Sequence, residues 1–230
     1  MKAGYNKLIS IGSVTALIGF ITSGPAGFMM VKLTKPQPVW ESASVFAANY
    51  HFVQDIPYYL GLLLIGGMLM VAAGLYLNYT GENRKVKFHL LLSLLWTTAF
   101  AALIFFNYIC QTTFIRHLAL NYTAQNDSII ATFSMANPMS LSWAVEMWGY
   151  GILGVATWLM AGYYNEKNKT ISWLLILNGI VSIATIGFTI MDINWVLTTT
   201  GLIAYMFWNV LMIVLMIMIY RNSRRENIDN

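Results

Sequence analysis

Apolar residues in this chain gather in six long runs, about residues 8–32, 57–79, 88–112, 139–164, 171–191 and 196–220. Each is close to or above the ~20 residues that an α-helix needs to cross a hydrocarbon layer. Lipid offers no partner to a backbone amide, so each run must satisfy its own, which a helix does. The runs are too long for membrane strands and lack the alternating polarity of a barrel. The pattern therefore predicts an all-α fold: one polytopic membrane domain over residues 1–230, with six transmembrane helices in a single bundle.

The gaps between the runs set the orientation. Lys2, Lys7, Arg84, Lys85, Lys87, Lys167, Lys169, Arg221, Arg224 and Arg225 fall in one alternating set, and only Lys32, Lys35 and Arg116 in the other. Basic residues stay on the cytoplasmic side of short loops, so both termini are predicted in the cytoplasm. The expected location is a bacterial inner membrane. The opening MKAGYNK followed by an apolar run resembles a secretory signal. The run continues through Phe28, Met29, Met30 and Val31, which is long for a cleaved segment, so it is read as an uncleaved helix. Gly24-Pro25-Ala26-Gly27 should bend its outer end, because Pro25 has no N–H to donate and Gly resists helix.

Two outer loops are long. In residues 39–54, Val39, Ala43, Phe46, Tyr50 and Val53 recur at spacings of three and four, which predicts a short amphipathic helix lying on the outer surface. The second loop, from about Thr113 to Asn137, turns polar past Leu120, and Asn137-Pro138 suits the start of the fourth helix.

Composition narrows the chemistry. The chain is 58% hydrophobic and 10% charged, against about 25% charged in soluble domains. Lipid must cover that surface. One cysteine, Cys110, excludes an intrachain disulfide and a cysteine-based zinc cluster. Three scattered histidines make neither a haem bundle nor a metal site. The basic residues flank spans instead of forming a stripe, so no nucleic-acid partner is expected. No cofactor motif, nucleophile elbow or voltage-sensing arginine ladder occurs. The expected partners are the bilayer and a small-molecule or lipid ligand, with no cofactor and no metal.

One acidic residue falls inside an apolar run. Glu146 lies eight residues after Pro138, roughly 12 Å along its helix and about 6 Å inside the outer hydrocarbon boundary. An ionised carboxylate there costs several kcal/mol unless it is paired, so it should face the bundle interior. Asn107 and Gln111, four residues apart on one face of the third helix, are its expected partners. Arg116 is expected as an outer lid residue, with Asp192, Trp143 and Tyr150 completing a polar and aromatic pocket open to the outside. Asn178 and Asn209 are read as amides that bond between helices. Trp96 and Trp208 lie too deep for an interfacial belt and are expected in the core.

The stretch ANPMSLSWAVEMWGYGILG, a polar entry followed by an acid one turn past a Trp and then glycines, resembles small six-helix bacterial integral membrane proteins. That resemblance implies a class and no agreed activity. Two readings of Glu146 stay open beside a ligand-binding or transporter-like one: general acid/base of a membrane enzyme, and helix packing in a structural subunit. Topology has its own test. Lys85→Cys and Asn168→Cys should be labelled only after cytoplasmic access, and Gln125→Cys from outside; external labelling at 85 would overturn the orientation.

Overall fold

The computed structural model describes residues 2–228, with no strand among them and 84% of the chain helical. The helices are α1 (Lys2–Ser23), α2 (Pro25–Thr34), α3 (Ala43–Ala48), α4 (Ile56–Asn78), α5 (Arg84–Ile109), α6 (Arg116–Leu120), α7 (Asp127–Phe133), α8 (Leu141–Tyr164), α9 (Lys169–Met191) and α10 (Thr199–Ile228). Five helical stretches are long and apolar enough to cross a membrane: Gly4–Thr34, Phe52–Asn78, Arg84–Leu120, Lys169–Met191 and Thr199–Glu226.

The fourth predicted span, α8, is the exception. At 24 residues it has the length, but Ser142, Glu146, three tyrosines and a series of glycines dilute its apolar character. Its packing accounts for this. Neighbours α5 and α9 flank it, and Gly149, Gly151, Gly154, Ala156 and Thr157 are all buried. A helix screened by protein needs no fully apolar perimeter.

Helix contacts run in the order α9–α8–α5–α4–α1–α10 and close back from α10 to α9. The closest approach is between α1 and α4. A Cβ on Gly19 would lie 2.2 Å from the Leu64 backbone nitrogen, and one on Gly67 would lie 2.3 Å from that of Ala16. Only hydrogen fits at either place. The outward faces carry Trp173, Ile203 and Val210, exposed by 68%, 63% and 61%, as helices solvated by lipid would. The core holds Phe100, Ile104, Leu153, Met160 and Met212. Trp208 joins it, whereas Trp96 faces outward at 41% exposure, contrary to the expectation that both pack inside.

The first span bends at Gly24, where α2 begins with Pro25 at its first turn. The third span departs from its predicted end at 112. A wide π-helical turn, Cys110–Ile115, leads straight from α5 into α6, so helix continues to Leu120. Protein packing supports this extension: Cys110, Ile115 and Ala119 are buried with Ala43, Phe46 and Ile130. The predicted amphipathic helix over 39–54 is shorter than expected. Only α3 and a 3-10 turn at Phe52–Asp55 are helical, with Asn49 closing the first and His51 capping the second. Phe46 covers the α5–α6 extension, while Val39 points away at 86% exposure. The fourth span starts two residues later than 139, with Ser140 Oγ accepting from the Trp143 N–H at 3.0 Å.

A pair of adjacent substitutions checks the α1–α4 contact. Gly67→Val should cost about 1–3 kcal/mol or more by overpacking. Gly66→Val, where an added Cβ meets nothing within 4 Å, should be tolerated. Equal thermal unfolding of the two variants in detergent would contradict the packing.

Candidate functional site

Glu146 lies five residues after Leu141, the first residue of α8, and is 7% exposed. Its two carboxylate oxygens are held by successive residues of α5. Asn107 Nδ2 donates to Oε2 at 2.8 Å, and the Tyr108 hydroxyl donates to Oε1 at 2.9 Å. Residues 107 and 108 are about 100° apart on a helix, so the pair straddles the carboxylate like a fork. Tyr150, one turn after Glu146 on α8, places its hydroxyl 3.1 Å from that of Tyr108. Asn107, Tyr108 and Ser142 are all buried.

Space for this fork comes from α4. A Cβ on Gly61 would fall 2.3 Å from the Tyr108 ring. Tyr58 packs its ring 5.4 Å from the same ring. On the other side Tyr150 meets Phe100 at 5.7 Å and Trp208 at 5.2 Å, and Trp208 meets Phe20 at 5.4 Å. Rings from α1, α4, α5, α8 and α10 thus form one chain of contacts running through Tyr108 and Tyr150, beside the acid. Among the described residues it pairs with no basic side chain; the ion pairs there are Arg116–Asp55 and Lys167–Glu226.

Gln111 serves a neighbouring task. It lies in the wide turn of the third span, 4% exposed. Its Nε2 donates to the Phe133 carbonyl at 2.8 Å, and its Oε1 accepts from the Met135 N–H at 2.9 Å. It therefore fastens the outer loop over Asn107, whose own Nδ2 also reaches the Ser142 carbonyl at 3.2 Å. π-bulges of this kind recur at functional sites.

Of the residues singled out from sequence, Asn107, Gln111, Glu146 and Tyr150 come together. Arg116, Trp143 and Asp192 take other places at the same end. Arg116 Nη1 lies 4.0 Å from Asp55 Oδ2 and its guanidinium 5.5 Å from the Phe52 ring centroid. Asp55 also accepts from the Tyr50 hydroxyl. Burial, and then that bond, push the Tyr50 phenol above its ordinary pKa, so it remains a donor. Trp143 Nε1 donates to the Ile193 carbonyl at 2.9 Å, bracing α8 against the α9–α10 connection. Asp192 is exposed and accepts from the Asn194 N–H. Tyr108 and Ser142 are the residues missed. Tyr108 reads as one more interfacial aromatic, and its adjacency to Asn107 hides that both flank a single group.

The two mid-span amides differ. Asn178 Nδ2 bonds Thr157 Oγ1 of α8 at 2.7 Å, between helices as expected, while Asn209 Nδ2 bonds the Tyr205 carbonyl of its own helix. At the opposite end of the bundle, a cavity of about 480 Å³ is lined by Asn6, Asn78, Tyr163, Lys167 and Glu226 among others. Asn78 Nδ2 donates to Asn6 Oδ1 and to the Tyr163 hydroxyl, both at 2.7 Å. Lys167 reaches Glu226 at 3.0 Å. Burial opposes the charge of Lys167, but the Tyr163 and Glu226 contacts outweigh it and raise its pKa. With the folded value raised, the stability linked to the charge of Lys167 is full below the ordinary lysine pKa and is lost as pH rises through the folded one.

Among the described residues no group of three or more His, Cys, Asp or Glu is placed to hold a metal ion. Compared with protein-family models, curated proteins and solved structures, the chain matches none. Five of the helices are compatible with a multi-pass membrane protein, and the buried acid held by Asn107 and Tyr108 is the chain's most distinctive chemical feature. Gln111→Ala should cost about 1–3 kcal/mol, since it strips partners from a part-buried carbonyl and amide. It should also speed hydrogen exchange at Met135. A variant with unchanged stability and exchange would show that the loop is held by other contacts.

Proposed function

We propose that the chain crosses a bacterial inner membrane six times, α8 included, with both termini in the cytoplasm, and that it binds a small ligand at Glu146 in a transporter-like manner. The observation that carries this reading is a buried carboxylate hydrogen-bonded on both oxygens yet lacking a basic partner among the described residues. Hydrogen bonds offset part of the cost of an anion in a low-dielectric interior; a nearby positive charge offsets much more. None of the described residues supplies one, so in this reading that role falls to a proton or a cationic ligand. Tyr58, Tyr108, Tyr150 and Trp208 form an aromatic cluster next to the acid, and aromatic rings are the partners an organic ammonium group favours. Asn107, Gln111 and Tyr150 form the walls of the site, with Arg116, Trp143 and Asp192 at its outer rim.

A second reading has an observation of its own. Both Glu146 oxygens are already used inside the protein, which suits a structural clasp between α5 and α8. A ligand must therefore exchange for these bonds instead of entering an open cavity. Thermal unfolding across a panel of amines, other metabolites and lipids separates the two. The binding reading expects at least one amine to raise the midpoint for the wild type and to lose that effect in Glu146→Gln, which keeps a donor and an acceptor. Retention of the full shift by Glu146→Gln, or the absence of any shift across the panel, would favour the clasp.

A further inference from the structure

Far from Glu146, at the end of the bundle where α1 begins and α10 ends, these two helices border a surface groove of about 570 Å³. Lys7 and Arg224 stand on its two sides, with Ile11, Val14, Thr15 and Tyr220 along its walls. The helices meet beneath it, where Ser10 Oγ and Ser223 Oγ are 2.7 Å apart. The groove therefore has a closed floor and is not a gap between helices.

Its charge is one-sided. Lys7 and Arg224 are both exposed, and among the described residues neither forms an ion pair. The Arg224 guanidinium lies 6.0 Å from the Tyr220 ring centroid, so the cation rests against the groove wall. From Lys7 outward, Ile11, Val14 and Ile18 are exposed along α1 at spacings of three and four, forming one apolar stripe. Lys7 to Ile18 is eleven residues, a rise of about 16 Å, close to half of the ~30 Å hydrocarbon core. Two cations head a strip of apolar surface one leaflet deep.

We infer that this groove binds an anionic phospholipid, its phosphate between Lys7 and Arg224 and one acyl chain along Ile11, Val14 and Ile18. Basic pockets between membrane helices hold anionic headgroups in this way. The stripe selects a lipid over a free phosphate, which has nothing to lay against it. The site is independent of the ligand reading at Glu146 and does not depend on which leaflet faces the cytoplasm.

Native mass spectrometry of the purified protein, titrated with phosphatidylglycerol or phosphatidylcholine of equal chain length, tests this. Phosphatidylglycerol should bind first. Lys7→Gln and Arg224→Gln should each weaken it about fivefold, and the double variant about 25-fold, leaving phosphatidylcholine unchanged. Lys87→Gln, an exposed cation outside the groove, should change neither. Should the double variant fail to fold, the single variants carry the test. Ile11→Trp, which narrows the trough and keeps both charges, should also weaken phosphatidylglycerol binding. Equal affinity for the two lipids, or variants that bind phosphatidylglycerol as the wild type does, would overturn the proposal. So would displacement of the lipid by millimolar inorganic phosphate with Ile11→Trp having no effect, since that identifies a simple anion site.

Discussion

A carboxylate in the middle of an apolar bundle must be held, and in this protein the holding organises one whole end of the molecule. Glu146 takes one hydrogen bond from an amide and one from a phenol, both on α5. Each donor needs its own support. Asn107 is fixed by further contacts to Ser142 and Met135, and Tyr108 fits only because α4 carries a glycine opposite its ring. Unsatisfied polar groups cost more here than in water, so the loss of any one member would leave others without partners.

The same demand explains the irregular features nearby. The wide turn in the third span brings Gln111 against the outer loop, and Gln111 then closes that loop over Asn107. Beyond the turn, the helix leaves the expected hydrocarbon depth yet stays helical, because Phe46 and Ile130 cover its apolar side. Arg116 belongs to this outer layer, its guanidinium 4.0 Å from Asp55 while Glu146 stays apart. The opposite end has a different logic. There Asn6, Asn78, Tyr163, Lys167 and Glu226 join the ends of α1, α4, α8 and α10 through polar contacts that line a cavity.

Much of the fold is legible in the sequence because lipid imposes a simple rule: long apolar runs become helices. The positions of α4, α9 and α10 follow from that rule alone. It fails where protein replaces lipid as the surrounding medium. Residues 113–120 look like loop by hydropathy, yet packing against α3 and α7 keeps them helical. The regular spacing from Val39 to Val53 looks like one helix, but Asn49 and His51 close and reopen the chain. In the site, Glu146 and its pairing with Asn107 are legible from depth and spacing. Tyr108 is not, since nothing in one sequence separates a structural phenol from an interfacial one. The sharing of one carboxylate by two consecutive residues appears only in three dimensions.

The carboxylate of Glu146 and the amide of Asn107 act as a unit joining α8 to α5. A double-mutant cycle measures this directly, using the unfolding free energies of Glu146→Leu, Asn107→Leu and the combined variant, since each single change removes the bond. Strong non-additivity is expected, a coupling of about 1 kcal/mol or more, as for partners in one buried network. Effects that sum to within about 0.5 kcal/mol, the behaviour of independent sites, would contradict it.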